Sequence, residues 1–171
     1  MCENMDPKSD EFEKAREKAL SYILFKKRTG FEVRRKLERS GFEEAEINKV
    51  INHYLKLKYI DDEAFTEKFI DEWKRLKCES VNKLRLTLKK KGISNDLISK
   101  YIECTGNTVS GEFDRIKLCF IKKYGELGEF NKREFDDIKF KRKFYYYFGS
   151  RGFDIETIRR LVELIGVADQ L

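Results

Sequence analysis

Three glycines, Gly41, Gly92 and Gly152, stand 51 and 60 residues apart, and the same apolar pattern surrounds each of them. Eight and four residues ahead lie Val33 and Leu37, Leu84 and Leu88, Phe144 and Phe148; directly behind lie Phe42, Ile93 and Phe153. Six residues behind come Ile47, Ile98 and Ile158, and nine and ten behind come Val50 with Ile51, Tyr101 with Ile102, and Leu161 with Val162. All 18 compared positions are apolar in a chain that is 40% hydrophobic. The fixed offsets have a physical reason. A helix that ends in a left-handed glycine folds the next residue back onto the residue four before the glycine. Leu37 with Phe42, Leu88 with Ile93 and Phe148 with Phe153 fit that contact. If the following helix is capped two residues after the glycine, the same side chain also staples onto that helix's fourth residue, here Ile47, Ile98 or Ile158. Ser94 and Asp154 are good caps at that position and Glu43 is a poorer one. The pattern therefore predicts three tight helix-glycine-helix corners.

Each corner is preceded by a further amphipathic stretch: Phe12, Ala15, Ala19 and Ile23; then Phe65, Phe69, Trp73 and Leu76; then Phe113, Ile116, Phe120 and Tyr124. Helix starts are signalled by Ser9, by Asp61 with Asp62 and Glu63, and by the capping boxes Thr29 to Glu32 and Asn131 to Glu134. The single proline, Pro7, lies near the N-terminus, so the rest of the chain lacks the commonest helix breaker. Nine helices are expected in an all-α fold: three tandem three-helix, helix-turn-helix-like repeats forming an elongated, curved array. Their bounds are 9–59, 60–106 and 107–171, after a flexible tail over 1–8. The longest joins are Cys104 to Gly111 and Gly125 to Asn131, while the first two repeats meet at Lys58-Tyr59-Ile60-Asp61 with almost no linker.

Composition narrows the function. The chain carries 37 Lys and Arg against 31 Asp and Glu, a net charge of +6, which favours an anionic partner. The N-terminus is polar and acidic, and the longest apolar run, Phe144 to Phe148, is five residues, so neither a signal peptide nor a membrane span is expected. Cys2, Cys78, Cys104 and Cys119 show no Cys-x-x-Cys spacing and read as reduced thiols of a cytoplasmic protein. His53 is the only histidine and has no metal-ligand spacing around it. Asp61 and Asp62 read as helix caps, and no phosphate-cradling glycine loop, nucleophile elbow or Cys/His arrangement is present. A non-catalytic protein without cofactor or metal follows.

The last helices of the repeats open with Glu43, Glu44 and Glu46, with Asp96, and with Asp154 and Glu156, which suit a helix dipole but repel phosphates. That argues against sequence reading in a DNA groove by these helices. The positive charge sits on the middle helices: Arg34, Arg35, Lys36 and Arg39; Lys83, Arg85, Lys89, Lys90 and Lys91; Lys139, Lys141, Arg142, Lys143 and Arg151. It is in register, Arg34 matching Arg85 seven before the glycine and Arg39 matching Lys90 two before it. A single such residue is ordinarily a solvated charge, whereas the threefold set describes a stripe for a nucleic-acid backbone or a filament. Tyr145 and Tyr146 lie off the core face of Phe144 and Phe148 and are candidate aromatic contacts, with packing against a neighbouring repeat as the alternative.

One family matches these residues along nearly the whole chain. Ala19-Leu20-x-Tyr22 with Arg28-Thr29, Val33, Leu37 and Gly41-Phe42, then Tyr59-Ile60-Asp61-Asp62-x-x-Phe65, Leu88-x-x-x-Gly92-Ile93 and Phe148-x-x-Arg151-Gly152-Phe153, resemble the RecX family. The Tyr-Ile-Asp-Asp join and the terminal Arg-Gly-Phe are the more specific parts. The resemblance implies a monomeric cytoplasmic bacterial regulator that lies in the groove of a RecA recombinase filament on DNA and restrains its ATPase and strand exchange. The runner-up is an architectural module that binds single- or double-stranded DNA non-specifically without a recombinase.

Overall fold

The computed structural model describes residues 7–76, 78–103 and 109–167. Every regular element among them is helical: α1 (Pro7–Phe25), α2 (Gly30–Glu38), α3 (Glu44–Lys56), α4 (Asp62–Leu76), α5 (Val81–Lys90), α6 (Asn95–Glu103), α7 (Val109–Tyr124), α8 (Ile138–Ser150) and α9 (Ile155–Val167). Two 3-10 turns, Leu127–Glu129 and Lys132–Asp136, separate α7 from α8. No described helix is long and apolar enough to cross a membrane.

The three glycine corners form as the sequence predicts. Gly41, Gly92 and Gly152 have φ of +84°, +78° and +85°, the left-handed region that a side chain resists. The following amide donates back to the carbonyl five residues earlier, Phe42 to Leu37 at 3.4 Å, Ile93 to Leu88 at 3.2 Å and Phe153 to Phe148 at 3.3 Å, as a Schellman cap requires. Ser94 Oγ accepts from the Leu97 amide at 3.3 Å and Asp154 Oδ1 from the Thr157 amide at 2.7 Å, whereas Glu43 caps α3 without a side-chain bond. Of the 18 patterned residues, 15 are buried, and Phe42, Tyr101 and Val162 are half-buried. A further left-handed residue, Lys58 (φ +58°), ends α3, with the Tyr59 and Ile60 amides both donating to the Tyr54 carbonyl.

Two compact units result, Met1–Phe69 with Leu88–Ile98, and Ile70–Thr87 with Ser99–Leu171, so the middle repeat contributes to both. The first unit closes over Ala15, Ala19, Val33, Leu37, Ile47 and Val50. The second closes over Ile116, Phe120, Phe144, Phe148, Phe153 and Leu161.

Four local expectations are corrected. The Asn131 to Glu134 box does not start the middle helix of the third repeat. Asn131 Oδ1 accepts from the Arg133 amide to cap a 3-10 turn, and α8 begins at Ile138, capped by Asp137 through the Lys139 amide at 2.8 Å. A continuous helix from Asn131 would place Phe135 and Phe144, nine residues apart at roughly 100° each, on opposite sides. The break lets Phe135 meet Phe144 edge-on at 4.8 Å in one core. On α4 the buried face is Thr66, Ile70 and Trp73 rather than Phe65 and Phe69, which are half-buried and stacked at 5.8 Å. Thr66 is tolerated there because its hydroxyl donates to the Asp62 carbonyl at 2.6 Å. Helix α7 opens at Val109, so Gly111 lies inside it rather than in a join, and α1 opens at Pro7, ahead of Ser9, with proline in its first turn.

Candidate functional site: the middle helices and their basic faces

The middle helices of the first two repeats are anchored in parallel ways, through the Thr29 hydroxyl in one and the Ser80 backbone amide in the other. Buried Thr29 caps α2 in a capping box, its Oγ1 accepting from the Glu32 amide and the Glu32 carboxylate accepting from the Thr29 amide, each at 3.2 Å. The Thr29 hydroxyl donates onward to the Lys91 carbonyl at 2.6 Å, beside Gly92. The first amide of α2, Gly30, donates to Asp62 Oδ1 at 2.9 Å. Around α5, buried Ser80 accepts from the Lys83 amide at 3.1 Å, and its own amide donates to the Arg151 carbonyl at 2.9 Å, beside Gly152. The first amide of α5, Val81, donates to the Glu112 carboxylate at 3.3 Å. Thr29 and Ser80 each stand twelve residues before their own corner glycine, and Lys91 and Arg151 each stand one before the next. The third repeat has Phe140 at the corresponding place and no following corner.

This anchor escaped the sequence reading, which assigned Asp62 to its own helix. Asp61 does cap α4, accepting from the Ala64 amide at 3.0 Å, and that bond holds its carboxyl below the usual range. Asp62 serves α2 instead, and burial pushes its carboxyl up. Burial likewise pushes Glu112 up, against the Val81 amide. The signal that could have found the device is the Ser/Thr twelve residues before Gly41 and Gly92.

The basic residues divide by role. Arg34 is half-buried and its guanidinium donates to Asn48 Oδ1. Lys91 is engaged: its ammonium lies 2.9 Å from Glu32 and over the rings of Phe65 and Phe69 at 5.3 and 5.9 Å. Burial works to raise the pKa of Glu32, but the Lys91 and Thr29 hydrogen bonds outweigh it and hold the carboxyl below its ordinary value. Arg151 covers the Tyr147 ring at 3.5 Å and donates to the Tyr147 carbonyl at 3.0 Å. Lys83 and Arg85 are half-buried. Lys89, Lys90, Lys141, Arg142 and Lys143 are exposed, as are Arg35 and Arg39. Tyr146 is exposed over 77% of its surface and Tyr145 is half-buried against Phe144.

Within the first unit the structure brings Arg35 and Lys36 of α2, and Arg39 at its C-terminal cap, together with Lys90 at the end of α5. They surround a groove of about 200 Å³ that Tyr22 and Phe31 also line. Lys90 is two residues ahead of Gly92 and Arg39 two ahead of Gly41, so equivalent positions in successive repeats share the groove. Its one carboxylate, Glu32, is occupied by Lys91 and by Arg28 at 3.8 Å. Among the described residues, no three His, Cys, Asp or Glu side chains converge as a metal-binding group. His53 packs edge-on between Phe12 and Tyr54.

Known proteins match both the first repeat and most of the chain. The model of the first three-helix domain of RecX fits residues 15–53, from α1 to α3. Regulatory protein RecX of Clostridium botulinum (strain Alaska E43 / Type E3) is 31% identical over 150 residues, covering 88% of this chain and 68% of that protein. The regulatory protein RecX of Chlorobium phaeobacteroides (strain BS1) is 32% identical over 137 residues, 78% of this chain and 82% of that one. The crystal structure of RecX from Lactobacillus salivarius shares the fold, with a TM-score of 0.67 and 21% identity over 95% of this chain and 99% of that one. With these matches running from α1 into the last repeat, the chain belongs to the RecX family of regulatory proteins.

Proposed function

We propose that this chain is a stoichiometric regulator of a RecA-type recombinase filament on DNA, restraining its ATPase and strand exchange without a reaction of its own. Membership of a family of regulatory proteins named RecX supports the regulatory role. The observation that carries the filament reading is the recurrence of exposed cations on successive middle helices: Arg35 and Arg39, Lys89 and Lys90, then Lys141, Arg142 and Lys143. A partner with a repeating anionic or acidic groove is matched by such a series, because several weak contacts linked in one chain act together. Arg34, Lys83 and Arg85 are half-buried, and Lys91 and Arg151 are engaged within the chain, so the exposed cations carry the reading.

Recombinase ATPase on single-stranded DNA, measured against added protein, is the direct test. The expected result is a fall that saturates at a fixed ratio of protein to filament. Undiminished ATPase and filament stability under saturating protein, together with ordinary tight binding to bare DNA, would overturn the proposal and favour an architectural DNA-binding module.

A further inference from the structure

The groove of the first unit combines two features that a simple basic face lacks. Arg35, Lys36, Arg39 and Lys90 line it, and among the described residues none of the four has a carboxylate partner within ion-pair distance, whereas Lys91 next door is paired with Glu32. Excess positive charge in a concave site calls for a polyanion. Aromatic surface is interleaved with that charge: Phe31 is 39% exposed, Tyr22 is half-buried beneath Arg28 at 4.4 Å, and both line the groove. Phe31 is held in place from below, since its Cβ and Cγ pack so closely on Gly92 that no other residue would fit there. The next helical turn carries Arg35 over the same ring at 5.6 Å.

A duplex presents phosphates to such a site but keeps its bases stacked inside, so the ring face would go unused. A single strand offers both, a phosphate for each cation and an unstacked base for each ring. We propose that this groove is a single-stranded nucleic-acid site, in which Arg39 and Lys90 hold backbone phosphates and Phe31 receives a base. The inference deepens the filament reading by assigning the strand contact to the first unit, but it concerns the bare strand and stands or falls without a recombinase.

The test measures binding of fluorescent oligo-dT and of a duplex of equal length by anisotropy across a salt series. Phe31→Ala keeps the Cβ that meets Gly92 and removes the ring. It is expected to weaken oligo-dT binding by about fivefold to a hundredfold while leaving duplex binding unchanged. Arg39→Glu with Lys90→Glu, both exposed and remote from the core, is expected to weaken oligo-dT binding and flatten its salt dependence by about 0.7 in log-log slope for each phosphate no longer held. This pair keeps the test decisive if Phe31→Ala fails to fold, which circular dichroism reports. Equal losses for strand and duplex in both variants would overturn the assignment, as would full oligo-dT affinity in the double variant alongside a loss in Lys141→Glu/Arg142→Glu/Lys143→Glu. Those outcomes leave the recombinase ATPase assay untouched, so failure of the strand site and failure of the filament reading are read separately.

Discussion

Equivalent residues in the three repeats do unequal work, and the glycines show it most directly. Gly41 needs its left-handed φ of +84° but has open space on the side where a Cβ would stand, with nothing within 4 Å. A Cβ on Gly92 would come 2.2 Å from Phe31 Cβ, and one on Gly152 would come 2.5 Å from Ser80 Oγ. Gly41→Ala is expected to cost about 1–2 kcal/mol, the left-handed penalty alone. Gly92→Ala and Gly152→Ala add the cost of a close approach and should exceed it by about 1–3 kcal/mol. Denaturant unfolding of the three variants checks the order, and equal losses would mean the anchors are absent. The Glu32 carboxyl ties stability to pH. Its folded pKa lies below the ordinary 4.5, so its contribution is fully present above that value and is lost as pH falls through the depressed one. Asp62, whose folded pKa is raised, has the opposite sign: its contribution is present below the ordinary 3.8 and is lost as pH rises through the folded value. Glu32→Gln should therefore be destabilised relative to the parent at neutral pH, and the difference should shrink on acidification below about pH 4.5, measured as unfolding free energy against pH.

At the scale of elements, helix ends carry the specificity of the fold. Three corners, two N-terminal anchors and the Asp137 cap set where helices start and stop, while the apolar stripes set only which face is inward. The clearest check is in the third repeat, where Asn131 caps a 3-10 turn and Asp137 caps α8. Asp137→Ala should cost about 1 kcal/mol of stability, and Asn131→Ala less, in thermal or denaturant unfolding. The reverse order would restore the helix start expected from the Asn131 to Glu134 spacing. Thr29→Val tests the anchor of α2. It keeps the shape of the buried side chain but removes the cap to Glu32 and the bond to the Lys91 carbonyl, and should cost about 1–3 kcal/mol.

For the whole molecule, sequence repeats and compact units do not coincide. The repeat pattern draws a boundary near residue 106, yet the second unit takes in Ile70–Thr87 along with Ser99–Leu171. Arg115 illustrates the tie: its guanidinium lies over the Trp73 ring at 3.3 Å and donates to the Trp73 carbonyl at 3.0 Å and the Glu79 carbonyl at 2.5 Å. A fragment of residues 107–171 would lose those partners as well as the Ser80 bond to the Arg151 carbonyl. It is expected to show less helicity than the same residues contribute to the intact chain, and to bind a hydrophobic dye through its aromatic core. Full helicity with cooperative melting would instead establish the third repeat as independent.

The helical class, the three glycine corners and the inward stripes were legible in the residues themselves, because each rests on contacts within a few positions of the chain. Leu37, Gly41, Phe42 and Ile47 lie within eleven residues of one another, so spacing alone carries their meaning. The anchors and the groove were not legible in that way. Thr29 meets Lys91 across 62 positions, and Lys90 joins Arg35 and Arg39 only when α5 ends beside α2. The charge pattern likewise showed where cations recur but not that Lys91 would pair with Glu32 while Lys90 stayed exposed. Neighbours in space, rather than neighbours in sequence, decide which charge is neutralised and which is left for a partner.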